Sequence, residues 1–342
     1  MAVFRPPAEV SVGIWPDFSD YQICKNQQLL KGRQMSTQIP IAFVDQFKAN
    51  ILLLSQQKMA KLRMCCRPEQ VTGDTMFVER IGPKDAQLRG ARHGATPISD
   101  ADHTRRKLSM ADYVVPADLI DKPDRLKMLI DPQSVYIQNQ VSSLNRAIDD
   151  VIITALGGPA YGGHAGATTI NNYDTGECRL VESDGSVEAA GSDHDATTDT
   201  PLSIAKLLTC KQLLDDAEID DERQRYFLCN PYNLNQLLNT TEVKSADYNT
   251  VKALAQGYVD TFMGFKFIKS TRLVADGTDT SATLCYAFAQ DAIVLAVAEE
   301  PSVNIDLRPD LLNSTQVYST LSIGATRVEG PAVVEITLPT SA

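Results

Sequence analysis

The chain lacks the short motifs that mark most enzymes and metal-binding proteins. It contains no G-x-S-x-G turn, no H-E-x-x-H helix and no C-x-x-C pair. The glycine-rich run at residues 157–163 follows a predicted helix rather than a strand, and it lacks the Gly-Lys-Ser/Thr ending of a phosphate loop. We therefore predict a protein with no enzymatic activity, no metal and no cofactor.

Long apolar runs and a secretory leader are also missing. The apolar stretch at residues 293–298 is far shorter than the roughly 20 residues that cross a bilayer. The N-terminus has no charged start followed by an apolar core, so we expect no signal peptide and no membrane contact. The net charge of −11 argues against a protein built mainly to grip nucleic acid.

Cysteine is present but follows no pattern. The seven cysteines are odd in number, and Cys65 and Cys66 are adjacent. This spacing argues against a zinc site or a redox pair. We expect reduced and mostly buried thiols in a cytosolic setting, because free cysteine is usually buried.

The best-supported element is a long helix over residues 132–156. Asp131 is a good N-cap, Pro132 occupies the favoured first helical position, and Gly157-Gly158 supplies the end. One apolar stripe follows the helical period: Ile137, Val141, Leu144, Ile148, Ile152 and Ala155. At 1.5 Å per residue, this is a rod of nearly 40 Å that must lie across a sheet or another subunit.

A basic hairpin precedes this helix. A strand at Thr75–Ile81 and a strand at residues 108–119 flank a polar segment with no apolar period. Residues 80–107 contain seven basic and three acidic residues, a net charge of +4. The segment is either a solvated basic loop or an arm that docks on an acidic surface of a neighbouring subunit. Its candidate contact residues are Lys84, Arg89, Arg92, Arg105, Arg106 and Lys107.

Acidic residues cluster further along the chain. Residues 158–200 carry eight acidic residues against one basic residue and are predicted to be a loop or surface flap, with a small hairpin around Gly176 or Gly185. A second cluster follows the helix predicted at residues 201–214. Its candidate partners for the basic hairpin are Asp215, Asp216, Asp220, Asp221 and Glu222.

The remaining pattern is mixed α+β. A helix is predicted from Ile41 through Gln56-Gln57-Lys58, and short helices are predicted at residues 234–238 and 249–257. Strands are predicted at residues 225–229, 258–268 (broken by Gly264), 284–288, 293–297, 317–323 and 333–338. Residues 1–34 differ from the rest of the chain in composition and pattern. We expect them to be an upstream extension, either untranslated in nature or a loosely held arm.

Several short sequence blocks follow one another along the chain, and their order is more informative than any one block. The main blocks are Gln56-Gln57-Lys58, Phe77 with Arg80-Ile81-Gly82, His103-Thr104-Arg105-Arg106, Leu129-Ile130-Asp131-Pro132, Arg146-Ala147-Ile148-Asp149-Asp150, Asn230-Pro231, Gly257-Tyr258, Phe262-Met263-Gly264-Phe265, Tyr286-Ala287-Phe288 and Gly324-Ala325-Thr326-Arg327. Each block alone is unspecific. Together they span some nine-tenths of the chain, and the chain resembles major capsid proteins of tailed double-stranded DNA phages, the group with the Hong Kong 97 capsid fold.

The resemblance implies a fold class and a division of the chain. The class is α+β, a Hong Kong 97-like capsid fold with an N-terminal arm, an extended hairpin called the E-loop, a long spine helix, a peripheral domain and an axial domain. The implied segments are 1–34 (extension), 35–72 (N-terminal arm and helix), 73–119 (strands and E-loop), 120–200 (peripheral domain with the spine helix at 132–156 and an acidic insertion at 158–200), 201–280 (axial domain) and 281–342 (return to the peripheral domain).

The resemblance also implies a function. Such subunits self-assemble through hexamers and pentamers into an icosahedral shell in the host cytoplasm, and they reside in the virion. Expected partners are other copies of the chain, a separate scaffolding protein, a portal, and packaged DNA held without sequence-specific binding. Two alternatives stay open: an encapsulin-like compartment shell, and a soluble enzyme that uses residues 158–200 as a lid.

Overall fold

The structure is a computed structural model. It describes residues 55–88, 90, 92, 96, 98–121, 133–170, 179–181, 185, 187–188, 200–220, 222–239, 261–275 and 282–340. All of them belong to one compact unit, Leu53–Lys122 with Pro132–Ala342. Several predictions lie outside the described residues: the extension at 1–34, the helices starting at Ile41 and at 249–257, the N-cap Asp131 with Pro132, and the side chains of Arg89 and Asp221.

The described residues form three α-helices and fifteen strands. The helices are α1 (Gln133–Gly157), α2 (Ile204–Asp216) and α3 (Pro231–Asn239). The strands up to α2 are β1 (Arg67–Gln70), β2 (Thr75–Ile81), β3 (His103–Ser109), β4 (Ala111–Ile120), β5 (Ala160–Gly162), β6 (Thr168–Ile170), β7 (Arg179–Val181) and β8 (Val187–Glu188). The later strands are β9 (Arg225–Cys229), β10 (Thr261–Phe262), β11 (Phe265–Lys269), β12 (Ala282–Ala289), β13 (Ile293–Arg308), β14 (Ser314–Arg327) and β15 (Val333–Pro339).

These strands form three sheets. A four-stranded sheet has the order β1-β13-β14-β4, and a seven-stranded sheet has the order β10-β11-β9-β12-β15-β7-β8. The third, which we call the hairpin sheet, has the order β2-β3-β5-β6. The mixed α+β class predicted from the sequence is confirmed, and so are the buried strand β9 and the strand-turn-strand around Gly264.

The long helix is confirmed as α1. Leu144, Ile148 and Ile152 are buried, as the apolar stripe predicts, and they join a core cluster with β13 and β14. The helix ends where the amide of Gly158 donates to the Thr154 carbonyl at 2.7 Å. Gly157 is required at this end, because a Cβ there would overlap the hydroxyl group of the buried Tyr286.

The first half of β13 is covered on both faces. Ile293, Leu295 and Val297 pack in the cluster that contains the buried stripe of α1. The alternate residues Val294 and Ala296 pack against the buried side of the hairpin sheet. Successive strand residues point to opposite faces, so this short run joins the helix layer to the hairpin sheet.

The segment 55–67, which we call the strap, corrects one prediction. Helix was expected to continue through Gln56-Gln57-Lys58, but residues 55–62 contain no helix, and only Arg63–Cys65 form a 3-10 turn. The reason is that polar groups of the strap bond to α1 rather than to one another. Asp149 accepts from the amides of Lys61 and Leu62, each at 3.0 Å, and Arg146 donates to Gln56 Oε1 at 2.6 Å.

The strand predicted at residues 108–119 is two strands in two sheets. β3 begins at His103, so the basic run lies within it, and it pairs with β2. After Met110, β4 pairs with β14 in the other sheet. The amide of Met110 donates to the Asp74 carbonyl at 2.9 Å, which marks the point where the chain changes sheets.

The seven-stranded sheet and the sheet of β1, β13, β14 and β4 combine strands from distant segments of the chain. β12 and β15, from the segment 281–342, pair with each other, and β12 also pairs with β9 in the seven-stranded sheet, whereas β13 and β14 join β4. The acidic insertion is divided too, because β5 and β6 extend the hairpin sheet while β7 and β8 extend the seven-stranded sheet. The small hairpin predicted around Gly185 is confirmed as β7–β8, with Gly185 at a φ of 92°.

Candidate inter-subunit surfaces

The basic run of β3 is split between the two faces of the hairpin sheet. Arg105 and Lys107 lie on one face, and Arg106 and Leu108 lie on the buried face. Cross-strand neighbours follow the same alternation, since Phe77 pairs with Lys107 and Val78 pairs with Arg106. Phe77, Arg105, Lys107 and Tyr161 therefore share one side of the sheet, which we call the outer hairpin face.

Arg106 corrects the set of contact residues chosen from the sequence. Its side chain is only 2% exposed, so it is not presented to a neighbouring subunit. It lies on the same sheet face as Leu108, which packs on Val294 and Ala296. The sequence marked it as an interface residue because a run of charged residues is usually solvated, whereas β-alternation turns every second one inward.

Arg105 and Lys107 are held in place on the outer hairpin face. The Arg105 guanidinium is 3.3 Å from Glu79 Oε1 and lies over the Phe77 ring at 5.6 Å from its centroid. The aliphatic stem of Lys107 lies against Gly166, where φ is 66° and a side chain would overlap the lysine. The face thus combines cations with partly exposed aromatic rings, a composition that is enriched in protein interfaces.

The part of the hairpin beyond β2 and β3 exposes apolar side chains as well as cations. Ile81, Leu88 and Ile98 are 67%, 98% and 93% exposed. Lys84 Nζ donates to the Ser99 carbonyl at 2.5 Å, and Arg92 is exposed. This part of the hairpin therefore presents both large apolar and cationic side chains to solvent.

The predicted acidic partner cluster is only partly available. Asp215 is bound within its own subunit, where Oδ1 accepts from the buried Arg225 guanidinium at 2.5 Å. Asp216, Asp220 and Glu222 are exposed. Among the described residues no ion pair joins this cluster to the basic hairpin.

Sequence reasoning missed a second exposed region, the distal half of β13 with its neighbours. Ile305 and Leu307 are 44% and 63% exposed, and Val114 and Leu119 on the edge strand β4 are also exposed. The sequence carries a signal for it, because the apolar run of β13 gives way to an acidic, proline-containing stretch at residues 299–301.

The titratable groups in the core have structural roles. Cys65, Cys66, Cys210, Cys229 and Cys285 are buried free thiols, as predicted. Burial raises the pKa of the Cys210 and Cys285 thiols to about 12. Such thiols are almost fully protonated near neutral pH and therefore react slowly.

A buried polar joint holds the end of α1. Arg327 Nη1 donates to the Leu156 carbonyl at 2.8 Å, so a cation faces the negative end of the helix dipole. Burial raises the pKa of Tyr286, and the hydrogen-bonded Glu335 raises it further. The joint connects α1 to β12, β14 and β15 and fixes their relative positions.

No helix among the described residues is long and apolar enough to span a membrane. In the same part of the chain, no three metal-ligating side chains come together in a group that could hold an ion.

The long helix, the three sheets and the exposed hairpin are features of a structural subunit. The family model described as phage capsid protein matches residues 39–339, so the chain belongs to the phage capsid protein family. No curated protein sequence matches the chain.

Solved capsid structures have the same fold. The capsid of cyanophage P-SCSP1u matches with a TM-score of 0.64 at 14% identity, covering 86% of this chain and 92% of that chain. The capsid subunit of cyanophage Pam1 gives 0.63 at 17% identity, covering 86% and 96%. The structure of Mycobacterium phage Che8 gives 0.60 at 14% identity, covering 84% and 94%.

These matches confirm the Hong Kong 97-like fold and the predicted structural role. The protein is a phage capsid protein, a structural subunit whose fold is that of the solved capsids. The family match favours this role over the encapsulin-like shell.

Proposed function

We propose that the chain builds its shell through hexamers and pentamers, with the outer hairpin face and the loop beyond it docked on a neighbouring copy. The exposure of Ile81, Leu88 and Ile98 carries the proposal. Burying these three large apolar side chains against a neighbour removes their surface from water and therefore favours association.

Charge selects the side of the neighbour on which the hairpin docks. Lys84, Arg92 and Lys107 are the available cations, since Arg105 is already paired with Glu79. The exposed acids Asp216, Asp220 and Glu222 are the proposed partners on the next copy. Opposite potentials of this kind set the register and speed of association more than its strength.

We infer the other partners by analogy with phage capsid proteins. The shell requires a separate scaffolding protein, a portal and packaged double-stranded DNA that is held without sequence readout, and assembly takes place in the host cytoplasm. The chain performs no catalysis, and repeated weak contacts are sufficient, because symmetric contacts add up while wrong contacts dissociate.

Reversing two hairpin charges tests the docking. The variant R92E/K107E should stay folded by circular dichroism but give at least about tenfold fewer closed shells in electron micrographs, since like charges across an interface cost several kcal/mol. K58E/K266E makes the same charge change outside the hairpin and should assemble normally.

A charge swap identifies the partner. Adding D216K/D220K to the hairpin variant should restore shells if these acids face the hairpin. If D216K/D220K does not restore shells, Asp216 and Asp220 are not the partners of the hairpin. Normal shells from R92E/K107E alone would refute the docking role of the hairpin.

A further inference from the structure

The strap carries a second cationic surface, remote in sequence from the hairpin. Its thirteen residues include four basic side chains and no acidic one. The basic residues are Lys58, Lys61, Arg63 and Arg67. A net charge of +4 in so short a segment stands out in a chain whose total is −11.

The strap is fixed with its backbone toward α1. Asp149, which is 2% exposed, binds the amides of Lys61 and Leu62. Asn145 Nδ2 donates to the Lys58 carbonyl at 2.7 Å. The lysine side chains of the strap are therefore left on the exposed side, and their positions are set by a buried carboxylate rather than by a free loop.

The strand β11 extends this surface. Lys61 Nζ donates to the Lys269 carbonyl at 2.7 Å, so the strap and the end of β11 are in contact. Lys266 of β11 is exposed and lies opposite Tyr226 of β9, and Tyr226 packs in the same core cluster as Leu62 and Cys65 of the strap. We call Lys58, Lys61 and Lys266 the strap patch.

The lysines of the strap patch differ from the arginines around it. The arginines are in ion pairs: Arg63 with Glu300, Arg67 with Glu69 and Arg272 with Asp150. Within the part of the chain that the structure describes, neither Lys58 nor Lys266 forms an ion pair. Their charge is available to a partner from outside the subunit.

We propose that the strap patch contacts the phosphate backbone of packaged double-stranded DNA, an inference that rests on the proposed capsid function. Lysine ammonium groups bind phosphates as point charges and read no bases, which suits a packaged genome of any sequence. A patch of this size gives weak binding, with a Kd of about 10⁻⁴ to 10⁻⁶ M at physiological salt. Many copies on one shell add these contacts together.

An acidic protein segment, such as part of a scaffolding protein, is the rival occupant. Exposed Met59 and Met64 lie on the same strap and are the kind of side chain that a protein partner would cover. Two methionine side chains supply far less buried surface area than the roughly 800 Å² per partner of a standard protein interface. Phosphate contact needs only the charges, so the lysines favour DNA.

The salt dependence of DNA binding tests the proposal. Dispersed full-length subunits are titrated with a short DNA duplex at a series of salt concentrations, followed by fluorescence anisotropy. The variant K58Q/K61Q/K266Q should lower the slope of log K against log salt by up to about 2.7, because each lost phosphate contact removes about 0.9. The matched control K84Q/R92Q/K107Q removes the same charge from the hairpin and should leave the slope unchanged.

The other outcomes overturn the proposal. An unchanged slope in the strap variant, or an equal drop in the hairpin control, would mean that the patch is no DNA site. A loss of DNA binding in M59S/M64S would point to a packed interface rather than to phosphate contact. Shells formed by the wild-type chain test the capsid function separately, since K58Q/K61Q/K266Q should still assemble.

Discussion

The two halves of β13 have one pairing partner but opposite environments. β14 runs beside β13 along its whole length, from Ile293 opposite Arg327 to Arg308 opposite Ser314. The first half is buried under α1 and the hairpin sheet, whereas the distal half exposes Ile305 and Leu307. Register shifts near Glu299 and Ser302 separate the halves. Backbone pairing therefore continues beyond the part of β13 that the subunit's own core covers.

The largest expected effect separates two leucines of this strand. L295A removes a side chain from the main core and should lower the free energy of unfolding by about 2–5 kcal/mol. L307A, in the exposed half, should change it by no more than about 0.5 kcal/mol. Urea unfolding of the dispersed subunit, followed by circular dichroism, measures both. Equal losses would show that the distal half is part of the core.

Two neighbouring aspartates of α1 show the same contrast between a buried and a more exposed side chain. D149A leaves the amides of Lys61 and Leu62 without their acceptor and should cost about 1–3 kcal/mol of unfolding free energy. D150A breaks a half-exposed ion pair with Arg272 and should cost no more than about 1 kcal/mol. If the two variants unfold at the same urea concentration, the strap is not anchored by the buried carboxylate.

The smallest effect is expected at the boundary between the halves of β13. Glu300 forms an exposed ion pair with Arg63 of the strap. E300Q should therefore lower the free energy of unfolding by about 0–1 kcal/mol, and high salt should remove the difference by screening. A larger loss that persists in high salt would mean that the boundary is held by packing rather than by charge.

Local sequence patterns predicted those helices and strands whose buried side chains recur at a regular spacing. The stripe through Leu144, Ile148 and Ile152 predicted α1, and the apolar run 225–229 predicted β9. Arg106 shows the limit of such patterns. Whether it points inward depends on which residues β2 and β5 place against it, and no local signal at positions 105–107 supplies that.

Long-range partners decided the other differences. The strap lacks a helix because its polar groups bind residues of α1 more than eighty positions later. The pairings of β12 and β15 in the seven-stranded sheet join residues up to 155 positions apart (Val334 opposite Arg179), and periodicity does not encode such partners. The pairing of the hairpin with an acidic neighbour stays a prediction, because it concerns contacts between copies.

The packing of Val78 and Leu108 on Val294 and Ala296 has a mechanical consequence. It anchors the base of the hairpin to β13, whereas Leu88 and Ile98 near the tip are exposed. A load on the tip, such as internal pressure borne by a filled particle, would act as on a cantilever. The load would pass to β13 and from there to α1, so strain from a neighbouring subunit would reach the main core.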